Sequence, residues 1–253
     1  LTNYPISGPI ISGPHEMPFL CQTEEFTTAG GESLGPALDE NCSVETRVEF
    51  VYLSTLDGEF KAYGGSPAGA MLADLAEATT LDGESVPFIV RVQTGTVNRA
   101  IYQSAMLHDP ADAAPDLWTR SRGWNGKLVY THGGGCQSGW FQQGSSTGTV
   151  LNRGLLEMGY AVTSASLNVY GQNCNDLLAS ETHIMVKERF VESYGEPIYT
   201  IATGSSGGSY QSHQTADNYP GVFDGIIVSS SFPDVTSATI FTLADARLLS
   251  FYF

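Results

Sequence analysis

The sequence predicts an α/β fold built on a mostly parallel sheet, and three observations predict it. From residue 124 onward, short apolar runs at 127–131, 160–166, 198–203 and 224–230 alternate with stretches of helical spacing at 149–158, 176–194, 209–216 and 238–253. Such alternation is what parallel strands joined by right-handed helical crossovers require. Gly-rich turns follow two of these runs, His132-Gly133-Gly134-Gly135 after the first and Gly204 after the third. Before residue 124 the pattern differs, because the periodic segments there are β-branched and aromatic without intervening helices. The chain therefore divides into an irregular, β-rich segment over 1–123 and an α/β core over 124–253.

In order along the chain, residues 1–45 are rich in Gly, Pro, Ser and Thr and read as an irregular segment wrapped on the domain. Residues 46–53 read as a strand and 67–79 as a short helix or turn. Residues 87–107 read as two strands meeting at Thr94-Gly95-Thr96, where glycine supplies a positive φ at little steric cost. The helical stretch 149–158 stops at Gly159, and 176–194 stops at Gly195, both natural C-caps.

With 253 residues, 42% hydrophobic and 15% charged, the chain holds enough apolar material for one large or two small globular domains. Its net charge of −16 repels phosphate backbones and anionic lipid, so nucleic-acid and membrane partners are excluded and a neutral or cationic substrate is favoured. No apolar run reaches the roughly 18 residues of a membrane span. The chain opens at Leu1 without an initiator Met, and reads as a mature N-terminus with its signal peptide removed or as a start within a longer chain.

Cys21, Cys42, Cys136 and Cys174 contain no C-x-x-C pair, which disfavours a metal site. The two readings of these cysteines are a pair of disulfides in a secreted or periplasmic protein, which is favoured, and four buried thiols in a cytosolic one. Of the three possible pairings, Cys136–Cys174 with Cys21–Cys42 is expected, because Cys136 and Cys174 both follow the C-terminal ends of adjacent strands. Asn41-Cys42-Ser43 matches the glycosylation pattern, and a chance match is the simpler account.

The chemistry concentrates in Thr203-Gly204-Ser205-Ser206-Gly207-Gly208, which contains G-x-S-x-G between a buried strand and a helical pattern. Small residues two before and two after a serine let the chain cross over itself and expose the hydroxyl at a helix N-terminus. The α/β-hydrolase fold places its nucleophile in this way, so Ser206 is the candidate nucleophile. Acyl transfer builds charge on a carbonyl oxygen, and backbone N–H groups must already point at it. Gly207 and the loop Gly133, Gly134 and Gly135 are the candidates for that oxyanion hole.

His213 is seven residues past Ser206 on the same helix, about 10 Å along its axis, too far for a general base. His15, His108 and His183 read as structural. His132 and Asp234 are the within-chain candidates for base and acid. Trp140 and Phe141 read as core packing or as an aromatic subsite. Because the triad runs serine, acid, histidine along such chains, and the chain ends in an apolar helical stretch, the sequence predicts that these residues are one part of a larger fold. A second polypeptide or a C-terminal segment would then supply the catalytic acid and histidine.

The segments "WNGKLVYTHGGGC", "ATGSSGGSYQSHQTADNYPGVFDGIIVSSSFPD" and "SGPHEMPFLCQTE" resemble a family of secreted bacterial α/β-hydrolases of largely unassigned function. That family is related to tannases and feruloyl esterases and, loosely, to hydroxybutyrate-oligomer hydrolases. The resemblance implies the α/β-hydrolase fold, serine esterase chemistry, Ser206 as nucleophile, and an oxyanion hole at Gly207 and Gly133–Gly135. Tannases and feruloyl esterases carry a cysteine directly before the nucleophile, and Ser205 stands there here. The expected activity is hydrolysis of a small-molecule or oligomeric carboxylic ester through an acyl-enzyme, with no cofactor and no metal. An amidase or peptidase on the same fold and a non-catalytic binding module are the alternatives.

Overall fold

The computed structural model describes residues 11–15, 17–64, 72–136, 141–232 and 235–253. Its centre is an eight-stranded sheet. The strands are β1 (Arg47–Leu53), β2 (Phe60–Ala62), β5 (Ile89–Val97), β6 (Ala100–Leu107), β7 (Lys127–Thr131), β8 (Ala161–Ala165), β9 (Tyr199–Ser205) and β10 (Gly225–Ser229). Their spatial order is β10-β9-β7-β8-β6-β5-β1-β2. Strands β8, β7, β9 and β10 run parallel, whereas β6, β5, β1 and β2 each pair antiparallel with the preceding neighbour. A short hairpin of β3 (Glu77–Thr79) and β4 (Ser85–Pro87) stands apart from the sheet. Four helices follow the parallel grammar: α1 (Arg153–Glu157), α2 (Asp176–Tyr194), α3 (Gly207–Asn218) and α4 (Val235–Tyr252). This mixed sheet, parallel over β10-β9-β7-β8 with an antiparallel β-rich flank, is an α/β-hydrolase fold.

The period of two along β6 sorts its side chains onto opposite faces of the sheet. Ala105 and Leu107 join Val51, Val90, Val162 and Leu156 in a core on the α1 side. Met106 and Tyr102 point the other way, toward cores that hold Leu128, Phe190 and Tyr194, and Tyr130, Leu178 and Val186, under α2. Both faces of the central strands are buried, so these strands read as continuous apolar runs rather than alternating ones.

Caps define where the helices stop. The Asn175 side chain accepts from Leu178 N–H at 3.0 Å, and Gly195 closes α2 at φ 89°. Asn152 does the same for Leu155, and Gly159 at φ 87° follows α1. At these positions a side-chain oxygen or a left-handed glycine satisfies the groups that a helix leaves without partners.

Three expectations are corrected. The β5–β6 hairpin turns at Asn98-Arg99, not at Thr94-Gly95-Thr96. Val97 pairs with Ala100, and the two residues between them carry φ 51° and 62°, the two-residue connection whose twist matches the strands. Gly95 lies inside β5, where a Cβ would sit 2.9 Å from Thr46 Oγ1 and 3.0 Å from the Tyr102 ring. In the stretch 67–79, residues 77–79 are strand rather than helix, and 67–71 lie outside the described residues. Finally, helix α1 covers five residues, not the ten of 149–158.

Among the described residues, no strand pairs with the outer edge of β10. Ile227 in the middle of β10 is 71% exposed, and Ile240, Phe241, Leu243, Leu248 and Phe251 of α4 are exposed as well. An apolar edge strand and an apolar helix in water are surfaces that a further strand or chain covers in stable folds.

Candidate functional site

Strand β9 runs into α3 through Ser206, whose backbone has φ 57° and ψ −121°. A non-glycine residue in that region costs about 1–3 kcal/mol and persists only where the surroundings over-determine it. Here they do. Gly204 lies where a Cβ would stand 2.8 Å from the Gly208 carbonyl carbon, so only glycine permits the chain to cross itself. The Ser206 N–H donates to Ser229 O of β10 at 3.2 Å, and the Ser206 carbonyl accepts from Tyr210 N–H at 3.0 Å. Serine at a helix N-cap ordinarily spends its hydroxyl on the first turn, but Ser206 makes no such cap bond. Its backbone is turned away from capping geometry and the hydroxyl stays available.

The loop after β7 lies directly over this turn. A Cβ on Gly207 would come within 2.2 Å of Gly135 O, and one on Gly134 within 3.0 Å of Ser205 O. Glycine at 134 and 207 therefore lets two backbones meet at van der Waals contact beside Ser206. The amide of Gly133 is already used, donating to Asn168 O at 3.0 Å. This corrects its expected place among the oxyanion donors: Gly133 anchors the loop, while Gly134 lies against Ser205 O and the Ser206 side chain, and Gly207 against Gly135. Gly135 is held at φ 95° against Gly171, and Gly171 N–H donates to Gly134 O at 2.8 Å.

Residues that the sequence did not single out clamp the loop from below. Gln211 Nε2 donates to both Gly133 O (3.1 Å) and Asn168 O (3.0 Å). Asn168 is fully buried, accepts from Tyr130 OH at 2.6 Å, and donates to Ala179 O of α2 at 3.0 Å. Gln211 lies four residues into the helix that starts at Gly207, so its inward face follows from helical spacing, but its partners do not.

Cys136 and Cys174 form one disulfide and Cys21 and Cys42 the other, with Cα–Cα distances of 5.1 and 5.2 Å. The first bridge ties the residue after Gly135 to the one before the α2 N-cap, Asn175. Both of its cysteines line a cavity of about 530 Å³ together with Gly135, Tyr170, Asp176, Leu177, Gly207, Tyr210 and Phe232, among others. Tyr170 OH donates to Asp176 Oδ1 and Tyr210 OH to Asp176 Oδ2, each at 3.0 Å. Burial raises the pKa of both tyrosines, and the neighbouring Asp176 carboxylate adds to the rise. A second cavity of about 410 Å³, beside Gln103 and Thr147, has no titratable side chain in its lining.

The histidines lie elsewhere. His132 is buried beside Tyr130, His183 and Phe223, with the His132 and His183 ring centroids 4.6 Å apart. Its Nδ1 lies 2.8 Å from Ser212 Oγ, and Ser212 donates its own proton to Gly208 O. Nδ1 of His132 therefore carries the proton, while Nε2 is buried without a partner. Burial pushes its pKa down to about 3. The expectation that His132 serves as an in-chain base is thus corrected, because the ring packs behind the turn as a neutral core side chain. His183 bonds Thr215 at 2.9 Å, His108 bonds Ser121 at 3.1 Å, and His213 bonds Ser231 at 2.8 Å. Among the described residues, no histidine is hydrogen-bonded to the Ser206 hydroxyl. Asp234 and Trp140 lie outside the described residues, and Phe141 is 56% exposed rather than core. No group of three or more metal-ligating side chains occurs among the described residues.

The strand order, the strained serine at the β9–α3 turn and the glycine loop beside it define a protein of the α/β-hydrolase class. More particularly, the chain belongs to a tannase-like family of unknown function, DUF6351, whose model matches residues 1–253. A search of curated proteins finds no match. Among solved structures, the chain is similar to the peroxisomal α/β-hydrolase Lpx1 of Saccharomyces cerevisiae, with 14% identity and a TM-score of 0.30. That similarity covers 73% of this chain and 44% of the yeast protein.

Proposed function

We propose that this chain carries the nucleophile and oxyanion hole of a serine-dependent carboxylic ester hydrolase. The observation that carries the reading is the backbone of Ser206, strained at φ 57° with an uncapped hydroxyl, facing the Gly134–Gly135 loop across Gly207. Ser206 Oγ attacks the ester carbonyl carbon. The N–H of Gly207 and one N–H of the loop receive the charge that develops on the carbonyl oxygen. The alcohol leaves, and water releases the acid from the acyl-enzyme in a second step.

The general base and its acid come, in this proposal, from polypeptide that pairs with the outer edge of β10. The five histidines of the sequence are all placed and none meets Ser206, while exposed Ile227 and the apolar α4 offer the surface to be covered. Two disulfides support an oxidising, extracellular or periplasmic setting. No helix among the described residues is long and apolar enough to cross a membrane.

Covalent labelling by a fluorophosphonate, mapped to Ser206 by peptide mass, together with hydrolysis of p-nitrophenyl esters, tests the reading. Ser206→Ala is expected to reduce turnover by about 10⁴–10⁶-fold with the fold intact, and near-normal turnover of that variant refutes it. A fully active monomer of 27.1 kDa refutes the shared-site part.

A further inference from the structure

Among the described residues, the lining of the cavity that includes Gly207 has a single charged side chain, Asp176, and three aromatic ones, Tyr170, Tyr210 and Phe232. The two tyrosine hydroxyls fix the carboxylate from either side, one on each oxygen. A carboxylate has about four acceptor positions, so each oxygen keeps one free. No lysine, arginine or histidine forms a salt bridge with it among the described residues. Tyr210 stacks on Phe232 with an interplanar angle of 9°, so the aromatic wall is itself held in place. The result is a carboxylate held among aromatic side chains in a cavity that Gly207, the residue after Ser206, also lines.

We infer that this cavity is the subsite for an ammonium-bearing part of the substrate, with Asp176 as its charge partner and Tyr170, Tyr210 and Phe232 as its walls. The inference rests on the reading of Ser206 as an ester-cleaving nucleophile, which it deepens by naming the substrate class. Ring faces attract cations, most strongly where water is excluded. A carboxylate already held by two hydroxyls needs little reordering to receive one. An anionic substituent meets repulsion from Asp176 and from the net −16 of the chain, which draws cations toward the surface instead. A neutral group gains the contact but not the charge attraction. Asp176 is thus a specificity-determining residue that selects what Ser206 receives.

Binding is measured by calorimetric titration of the whole chain at low ionic strength, so the result does not depend on a complete triad. The probes are choline and 3,3-dimethylbutan-1-ol, its neutral isostere. Choline is expected to bind at least about tenfold more tightly than the alcohol. In Asp176→Asn, which keeps the shape of the side chain, that ratio is expected to fall to near one. Should that variant fail to fold, Leu177→Lys tests the same point. Leu177 lines the cavity and is 46% exposed, and a lysine there places a competing ammonium beside Asp176, so choline binding is expected to be lost. Equal affinity for the two probes, no binding of choline, or a preference that survives Asp176→Asn overturns the inference. Fluorophosphonate labelling reports on Ser206 alone. A labelled serine without choline preference therefore removes this subsite and leaves the esterase reading standing.

Discussion

Acidification from about pH 7 to about pH 5 is expected to destabilise the fold through two buried histidines. His132 and His183 pack ring against ring in the core behind the Ser206 turn, and burial holds the pKa of His132 at about 3 and that of His183 well below 6.5. Below pH 6.5 the unfolded chain binds a proton on each, whereas the native state does not until far lower pH. Stability is therefore complete above about pH 6.5 and falls as pH drops from there toward the folded pKa. The slope is about 1.4 kcal/mol per pH unit for a histidine that stays neutral in the fold, so about 2 kcal/mol is lost through His132 by pH 5, and His183 adds to the loss in the same direction. That is a large part of the roughly 5–15 kcal/mol a domain has. Asp39, Asp57, Asp74 and Asp116 have lowered pKa values, from 3.8. Their contribution is present above that value and lost only beneath it, outside this window. Urea unfolding across about pH 5 to 7.5, on wild type and on His183→Gln, is the assay. The variant is expected to show a shallower slope whatever its absolute stability. A flat profile between about pH 5 and 6.5, or an unchanged slope in the variant, refutes the reasoning.

Gly207→Ala places a methyl 2.2 Å from Gly135 O, and backbone must move to admit it. Ester turnover is expected to fall by about 10²–10³-fold, the loss of one oxyanion donor, while circular dichroism stays native; wild-type turnover argues against the assignment of Gly207. Replacing Cys136 and Cys174 by serine opens a bridge of sequence separation 38, with an expected loss of about 4 kcal/mol in the chain-entropy model. Because that bridge holds the residue after Gly135, turnover of the folded fraction should fall too. The same change at Cys21 and Cys42, separation 21, is expected to cost about 3 kcal/mol and leave turnover per folded molecule unchanged. Equal effects of the two pairs on turnover would count against a loop-positioning role for Cys136–Cys174.

Much of the fold is legible in the sequence because its requirements are local. Glycine at 204 and 208 around Ser206 reports a chain that must cross itself, and the glycines after β7 report one backbone lying on another. Apolar runs bounded by Gly159 and Gly195 mark where helices end, since only glycine takes those φ values cheaply. The Cys136–Cys174 bridge is legible because the two cysteines follow the C-terminal ends of the neighbouring strands β7 and β8. The hairpin at Asn98-Arg99 escaped because glycine was the expected turn residue, whereas Arg99 holds its left-handed φ with its guanidinium 3.9 Å from the Phe19 ring.

What only the tertiary structure decided are the pairings across long separations. The loss of the Gly133 amide to Asn168, the clamp from Gln211, the core burial of His132 and the Asp176–Tyr170–Tyr210 cluster all join side chains or backbones from different crossovers. A histidine beside a glycine loop has the same sequence whether it faces solvent or the core. Which way it faces is set by the sheet order, β9 beside β7, and by the helix α2 that packs beneath them. Backbone geometry is written in residues that sit next to one another, whereas the partner of a polar side chain is chosen by which strands and helices come to lie side by side.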